Sequence, residues 1–156
     1  MDVDGARIFY SEFVRDFAFP EYLALPPGPL VVLIAADASR VSADAVSRAA
    51  DYLLSAGLVF VSVWGPDCER VHDIFDAEYV GDGTIERDLP LTTTWHDHES
   101  LEDTVEFFAR SGMSLGGCEA GPVSHLAIAV ASPEWSCAVE GILSGFALGD
   151  HSGPSR

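Results

Sequence analysis

Lysine, asparagine and glutamine are absent from this chain, so all eight of its basic residues are arginine. Without lysine the chain cannot form a Walker-type phosphate loop or a Schiff base, and it has no lysine general base. Without asparagine it cannot contain a Cys-His-Asn catalytic triad. Several classes of enzyme are therefore excluded before any motif is considered.

Basic residues are scarce as well, since eight of them stand against 25 acidic residues and give a formal net charge of -17. Binding to nucleic acid requires cationic side chains that neutralise phosphates, and anionic membranes attract basic surfaces. We therefore expect neither nucleic acid nor a membrane as a partner. The charge is compatible with a basic protein, a cation or a small ligand, and it also increases solubility without any partner.

Long apolar runs and paired cysteines are missing too. The longest apolar run, Leu30–Ala36, has the length of a strand, whereas roughly 18 apolar residues are needed to cross a bilayer. The acidic start of the chain lacks the basic region of a signal peptide. The three cysteines, Cys68, Cys118 and Cys137, form no CxxC or CxxH pair. We therefore predict a cytoplasmic protein with reduced thiols.

The chain does contain a regular alternation of apolar strands and amphipathic helices, and 48% of its 156 residues are hydrophobic. Strands are predicted over Leu30–Ala36, Leu58–Val63, Leu91–Trp95 and His125–Ala131. Helices follow each of them, with Ser42, Asp67, Ser100 and Ser132 as predicted N-caps. This alternation predicts the α/β class: one three-layer, Rossmann-like domain with a mainly parallel sheet of about four strands and helices on both faces.

The predicted single domain spans residues 1–156, and its core covers about residues 20–148. Residues 5–19 carry apolar side chains at helical spacing, which predicts a short amphipathic helix before the proline-rich stretch 20–29. Three other stretches are predicted to be irregular: 78–90 as a hairpin or a loop, 112–124 as a glycine-rich loop, and 149–156 as a flexible tail. No internal repeat is evident.

Polar side chains follow three of the predicted strands. The three groups are Asp37; Trp64, Asp67, Cys68 and Glu69; and Trp95, His96, Asp97 and His98. The carboxyl ends of parallel strands share one edge of the sheet, and ligands bind at that edge. We predict Asp37, Trp64, Asp67, Glu69 and Trp95 as ligand-binding residues, and Cys68, His72, His96 and Asp97 as candidate catalytic residues.

A thiol and an imidazole are the pair that nucleophilic catalysis needs, and Cys68 and His72 share one face of a predicted helix. The helix N-terminus lowers the pKa of the thiol, whereas the anions Asp67 and Glu69 raise it. His96 could serve as an acid/base group or join the other two as a metal ligand, although no zinc spacing is present. No cofactor is identified by the sequence.

A nucleotide ligand is disfavoured despite the Rossmann-like outline. No GxGxxG motif occurs, and a phosphate at the helix after the second strand would meet Asp67 and Glu69. The two tryptophans that end neighbouring predicted strands, Trp64 and Trp95, could instead stack on a ligand or simply pack.

The segments WGPDCERVHDIFD (64–76), TTWHDHESL (93–101), LAIAV (126–130) and SPEW (132–135) resemble a family of small bacterial α/β proteins grouped as a domain of unknown function. With the first strand they span roughly 22–146. The family pattern has Asp-Asp where this chain has Asp97-His98, which leaves His96 as the better candidate of the two histidines. The resemblance implies the fold and the site but no activity.

Three functions stay open at this point. The leading hypothesis is a small acidic protein that binds a small ligand or a protein partner at the carboxyl edge of its sheet. The second is a Cys/His-dependent or metal-assisted hydrolase or transferase. The third is an acidic inhibitor or immunity-type partner of a basic protein.

The strand order decides whether the predicted site can form. Leu30–Ala36 is the most continuously apolar run, so we expect it at the centre of the sheet, and the threonine-rich Leu91–Trp95 nearer an edge. Asp37 is then expected to be partly buried and within reach of the turn after the second strand. If the second and third predicted strands both neighbour the first, Asp37, Cys68 and His96 line one crevice at a topological switch point, whereas a sequential order leaves a smaller site.

Overall fold

The computed structural model describes residues 9–18, 23–26, 28–83, 89–111 and 123–147. Their strands and helices, in chain order, are β1 (Phe9–Val14), β2 (Leu30–Ala35), α1 (Ala43–Ser55), β3 (Leu58–Trp64), α2 (Cys68–Val80), β4 (Thr92–His96), α3 (Leu101–Arg110), β5 (Ser124–Val130) and α4 (Pro133–Ala147).

The described strands form one parallel sheet in the order β1-β5-β2-β3-β4, which confirms the α/β class and gives five strands rather than the predicted four. Helices α1 and α2 pack together on one face, and α3 and α4 pack together on the other. The chain advances from β2 to β4 over the first face and returns to β5 over the second. All three crossovers therefore have the same hand, as the rule for parallel sheets requires.

Strand β2 lies at the centre of the sheet, as its apolar sequence predicts, and all six of its residues are buried. Its alternate side chains serve the two cores: Val32 and Ile34 pack on the side of α1 and α2, and Val31 and Leu33 on the side of α3 and α4. Burial on both faces explains why the strand is a continuous apolar run. The predicted edge position of β4 is confirmed as well.

The predicted helix over residues 5–19 is wrong for its described part, because Phe9–Val14 is an edge strand parallel to β5. Phe9 packs on the side of α4 and Tyr10 on the side of α1, so adjacent aromatic residues serve opposite faces. Pairing with β5 supplies backbone hydrogen bonds to a segment rich in aromatic residues, and this tertiary interaction outweighs the helical spacing.

All four helices start directly after their predicted caps, and three of the four caps make a capping hydrogen bond. Ser42, Ser100 and Ser132 each accept a hydrogen bond through Oγ from the backbone N–H three residues later, at 3.2, 3.0 and 3.2 Å. Asp67 occupies the N-cap position of α2 but makes no capping hydrogen bond with its side chain, because its backbone is left-handed with φ 63°. The carboxylate pairs with Arg70 instead.

Helix α2 ends at Val80, so residues 78–80 of the stretch predicted as a hairpin or a loop, 78–90, are helical. Residues 84–88, most of the predicted glycine-rich loop with Cys118, and the predicted tail lie outside the described residues. None of the described helices has the length and apolar character needed to span a membrane.

Candidate ligand site at the carboxyl edge of the sheet

Two backbone hydrogen bonds join the segment directly after β2 to the end of β3 and the turn that follows it. The N–H of Ala36 donates to the carbonyl of Trp64 at 2.9 Å, and that of Ala38 donates to Pro66 at 3.0 Å. Gly65 has φ 116°, and a Cβ atom there would lie 2.1 Å from the Ala36 carbonyl oxygen. Only glycine permits this close approach.

The crevice between β2 and β5 is the topological switch point of the sheet. Helix α1 leaves β2 over one face, whereas α4 leaves β5 over the other. The strand exits therefore separate, as they do at the binding crevices of open α/β sheets. Ala131, directly after β5, is left-handed with φ 61° and donates its N–H to Val14 of β1 at 2.7 Å.

Asp37 is fully exposed, so the expectation that it is partly buried is wrong. Its neighbours Ala36 and Ala38 bond the turn after β3, which confirms the predicted approach of the two segments, but the side chain between them is directed to solvent. The carboxylate accepts hydrogen bonds from the N–H and the hydroxyl of Ser39, at 3.0 and 2.6 Å. These bonds lower the pKa of Asp37.

Arg70 braces the turn before α2. Its Nε donates to Asp67 Oδ2 at 2.7 Å, and its Nη2 donates to the carbonyls of Ala38 and Val41 at 2.5 and 2.9 Å. One guanidinium thus connects the start of α2 to the loop that leads into α1. Asp67 is occupied by this structural contact, and Glu69 is exposed in the first turn of α2.

Cys68 is buried at the first position of α2, with a relative exposure of 1%. Burial raises the pKa of its thiol, the backbone N–H of His96 works in the opposite direction, and the carboxylate of Asp97 adds to the rise. The predicted lowering at the helix N-terminus is therefore outweighed. The thiol stays protonated at neutral pH, which is unfavourable for a nucleophile.

His72 belongs to α2 and packs against the side of β4 that this helix covers. Its ring lies 4.5 Å from the ring of Trp95, centroid to centroid. Nδ1 is 3.0 Å from Asp73, and Nε2 is 3.6 Å from Asp76. Asp76 in turn accepts a hydrogen bond from the Thr93 hydroxyl at 2.7 Å.

His96 faces the opposite side, where its ring lies 4.8 Å from that of Phe107 in α3. It is buried, and both ring nitrogens have partners: Nδ1 is 2.9 Å from Glu99 Oε2, and Nε2 is 3.1 Å from the Thr94 hydroxyl. The Thr94 hydroxyl also lies 3.1 Å from Oγ of the buried Ser62. A hydrogen-bonded chain therefore runs from an exposed carboxylate to the interior of β3.

The Cys68 thiol lies against the backbone of His96, but the thiol and the two imidazole rings predicted to form a catalytic group do not come together. His72 and His96 contact opposite faces of the sheet, because adjacent residues of β4 direct their side chains to opposite sides. Within the described residues, the Cys68 thiol makes no hydrogen bond with either imidazole ring. The crevice lined by Asp37, Cys68 and His96 required the third predicted strand to neighbour the first, whereas β4 lies beyond β3, so this crevice does not form.

Two tryptophans meet above the buried side of β4. The Nε1–H of Trp64 donates to the Glu99 carbonyl at 2.9 Å. The ring of Trp135, in the first turn of α4, stands edge-on to Trp64 with centroids 5.0 Å apart and an interplanar angle of 86°. Both indoles are half-buried. Segments that follow β3, β4 and β5 thus meet at one point of the carboxyl edge.

A family described as domain of unknown function DUF7684 matches residues 8–139, from just before β1 to the middle of α4. The chain belongs to this family. As predicted from its sequence segments, it is a domain of unknown function, and the matched range contains every predicted site residue together with Trp135. No curated protein matches the chain.

We call Trp64, His96, Glu99 and Trp135 the edge site. Sequence reasoning missed Glu99 and Trp135, although Glu99 lies three residues after His96 and Trp135 follows the N-cap of α4 by three. The remaining predicted residues lie apart: Asp97 is 46% exposed and 3.3 Å from His98, which is 92% exposed. Within the described residues, no group of three or more His, Cys, Asp or Glu side chains is arranged to hold a metal ion.

A groove of about 340 Å³ lies away from this edge, between β1 and α4. Its lining residues are Phe9, Ser11, Glu140, Leu143 and Ser144. None of the predicted site residues contributes to it, so the groove and the edge site are separate features of the molecule.

Proposed function

We propose that the chain binds a small ligand at the carboxyl edge of its sheet, against the edge site. The observation that carries this proposal is the meeting of two half-buried indoles at the exits of three strands, with the Trp64 indole bonded to the backbone carbonyl of Glu99. Indole rings offer flat apolar surface to a ligand. The neighbouring topological switch point supports the same location.

Charge narrows the class of ligand. Glu99 is 49% exposed and is held by His96, so its carboxylate is oriented before any ligand arrives. A net charge of -17 opposes an anion such as a phosphate ester. A neutral planar molecule or an organic cation fits better, because aromatic faces attract cations.

A Cys/His-dependent hydrolase or transferase has weaker support. Such an enzyme needs a reactive thiolate next to a base, whereas burial raises the pKa of Cys68 and His96 Nε2 is paired with Thr94. Labelling with iodoacetamide tests this alternative. We expect the exposed Cys137 to react at least about a hundredfold faster than the buried Cys68, which must await local opening. Faster reaction of Cys68 would favour the enzyme.

An acidic partner of a basic protein is a second candidate function. It is favoured by the exposed Trp95 on the α2 side of β4, whose ring packs against His72, the neighbour of two carboxylates. The two candidates use different surfaces, so the same chain could have both properties.

Ligand binding is tested by a thermal-shift screen of neutral and cationic metabolites, followed by variants of the three tryptophans. A ligand present at a hundredfold excess over its Kd raises the melting temperature by roughly 5–10 °C for a domain of this size. We expect Trp64→Phe and Trp135→Phe to reduce this shift by more than half. Trp95→Phe is the matched control, because Trp95 lies on the other side of the sheet.

Two outcomes would contradict the proposal. One is a screen in which no compound stabilises the protein. The other is a stabilising compound whose effect is lost equally in all three variants, or lost only in Trp95→Phe. Intrinsic fluorescence of the single variants provides a second readout, since binding against Trp64 or Trp135 changes the emission of that indole.

A further inference from the structure

The α2 side of β4 carries an exposed aromatic ring that packs against His72, which lies beside two carboxylates. Trp95 is 41% exposed although it belongs to a strand. We call this surface the Trp95 patch, and it consists of Thr93, Trp95, His72, Asp73 and Asp76. Exposed tryptophans are the residues most enriched among those that dominate binding energy at protein interfaces.

The outer edge of β4 is open among the described residues, because β3 is its only neighbour there. An open edge presents unpaired backbone groups to any extended segment, and natural proteins usually block it with charge, proline or a bulge. Between Thr92 and Trp95 the strand has no charged residue, and threonine and tryptophan favour extended structure. The opposite edge strand, β1, has Glu12 at its middle.

The charges around Trp95 specify the partner. The two carboxylates beside His72 are 69% exposed at Asp73 and 51% exposed at Asp76, so both can reach a cation on a partner. A guanidinium stacks on an indole face and bonds carboxylates through its planar fork of donors. Arginine is therefore the side chain whose chemistry fits this surface.

We propose that the open edge of β4 and the Trp95 patch bind an extended, arginine-bearing segment of a protein partner. The segment adds to the sheet as a sixth strand beside β4, and one of its arginines lies over Trp95 within reach of Asp73 and Asp76. Backbone pairing provides the docking geometry, and the side-chain contacts provide the specificity.

A second copy of this chain does not meet the requirement for the occupant. Each copy has a net charge of -17, and two acidic patches brought together repel each other. The partner surface must therefore be basic. Light scattering distinguishes this proposal from self-association, because a second copy bound at the patch would appear as a dimer. A dimer that Trp95→Ala abolishes would overturn the proposal.

The probe is a seven-residue synthetic peptide of alternating arginine and valine, measured by isothermal titration against the full chain. We expect Trp95→Ala to raise the Kd at least about tenfold, as loss of a cation–π contact that is desolvated in the complex predicts. Asp73→Asn, which leaves Thr93 and Asp76 in contact, should raise it about threefold. Phe13→Ala is the matched control, since Phe13 is 44% exposed on the other edge strand, and we expect less than a twofold change.

Strand addition has its own readouts. Replacing the central valine of the peptide by proline should weaken binding about tenfold, because proline cannot donate to a ladder. In the complex, amide exchange should slow at Thr93 and Trp95 and stay unchanged in β1. Equal effects of Trp95→Ala and Phe13→Ala, or full binding by the proline peptide, would mean general attraction to an acidic protein and would overturn the proposal. Trp64→Phe should bind the peptide normally, which separates this surface from the edge site.

Discussion

The two sides of β4 show how one short strand can support two different tasks. Toward α3, Thr94 and His96 form a buried chain of hydrogen bonds with Ser62 and Glu99. Toward α2, the neighbouring Trp95 is 41% exposed. Both sides contain a histidine next to an acidic residue, but only the side with His96 is shielded from water.

This difference has a physical consequence. A buried polar group is costly when it loses its partner, so the side with His96 requires one fixed arrangement. Exposed groups can exchange protein partners for water at little cost, so the Trp95 patch can adapt to an incoming molecule. We therefore assign the buried side to holding the edge site in shape and the exposed side to recognition.

The largest expected effect distinguishes the two adjacent residues at the end of β4. His96→Ala removes a buried ring packed on Phe107 and deprives the Thr94 hydroxyl of its hydrogen-bonding partner on that ring. We therefore expect the unfolding free energy to fall by about 2–4 kcal/mol. That loss corresponds to a melting temperature lower by about 5–15 °C. Trp95→Ala removes a larger ring but a more exposed one, and we expect a loss below about 1 kcal/mol.

Urea titration of both variants measures this contrast directly. Equal losses for the two substitutions would show that the exposed ring contributes as much to the fold as the buried one. In that case Trp95 is a packing residue, and the assignment of its side to recognition fails.

A smaller effect on the unfolding free energy is expected when Thr94 and its neighbour Thr93 are each replaced by valine. Thr94→Val keeps the shape of the side chain but leaves His96 Nε2 and Ser62 without the hydroxyl, and we expect a loss of about 1–2 kcal/mol. Thr93→Val removes only an exposed hydrogen bond to Asp76, and we expect a change within about 0.5 kcal/mol. Thermal unfolding of the pair tests this, and a larger loss for Thr93→Val would reverse the two sides.

Local signals in the sequence were sufficient for much of the fold. The apolar run of β2 indicated its central position, and serine before an amphipathic stretch indicated three helix starts. The convergence of strand exits at one edge followed from the parallel topology alone. These features depend on residues close together in the chain, or on rules that hold for all parallel sheets.

The remaining features depend on contacts between distant residues. Phe9–Val14 is a strand because it pairs with β5, more than 100 residues later, and its own spacing gives no sign of this. The meeting of Trp64 with Trp135 depends on α4 starting beside the exit of β3. Alternation along β4 could be predicted, but which helix covers each side depends on the strand order.

The last expected effect is a change of slope with pH, and it concerns Cys68, whose thiol lies against the backbone of His96 at the end of β4. Burial raises its pKa above the ordinary value of 9.0. Between that value and the higher pKa of the folded state, the unfolded thiol has lost its proton while the folded thiol retains it. The folded state then binds more protons, so the unfolding free energy falls as pH rises through this window, and below it the thiol has no effect.

The decline contributed by this one proton is at most about 1.4 kcal/mol per pH unit. We expect Cys68→Ala to be less stable at neutral pH but to lose stability more slowly as the pH rises above 9, as measured by urea titration at each pH. Cys137 is exposed, so Cys137→Ala should retain the slope of the wild-type chain. If Cys68→Ala and the wild type have the same slope, the thiol ionises as freely in the folded chain as in the unfolded one. Water would then reach the carboxyl end of β4, and His96 would not belong to the part of the strand from which water is excluded.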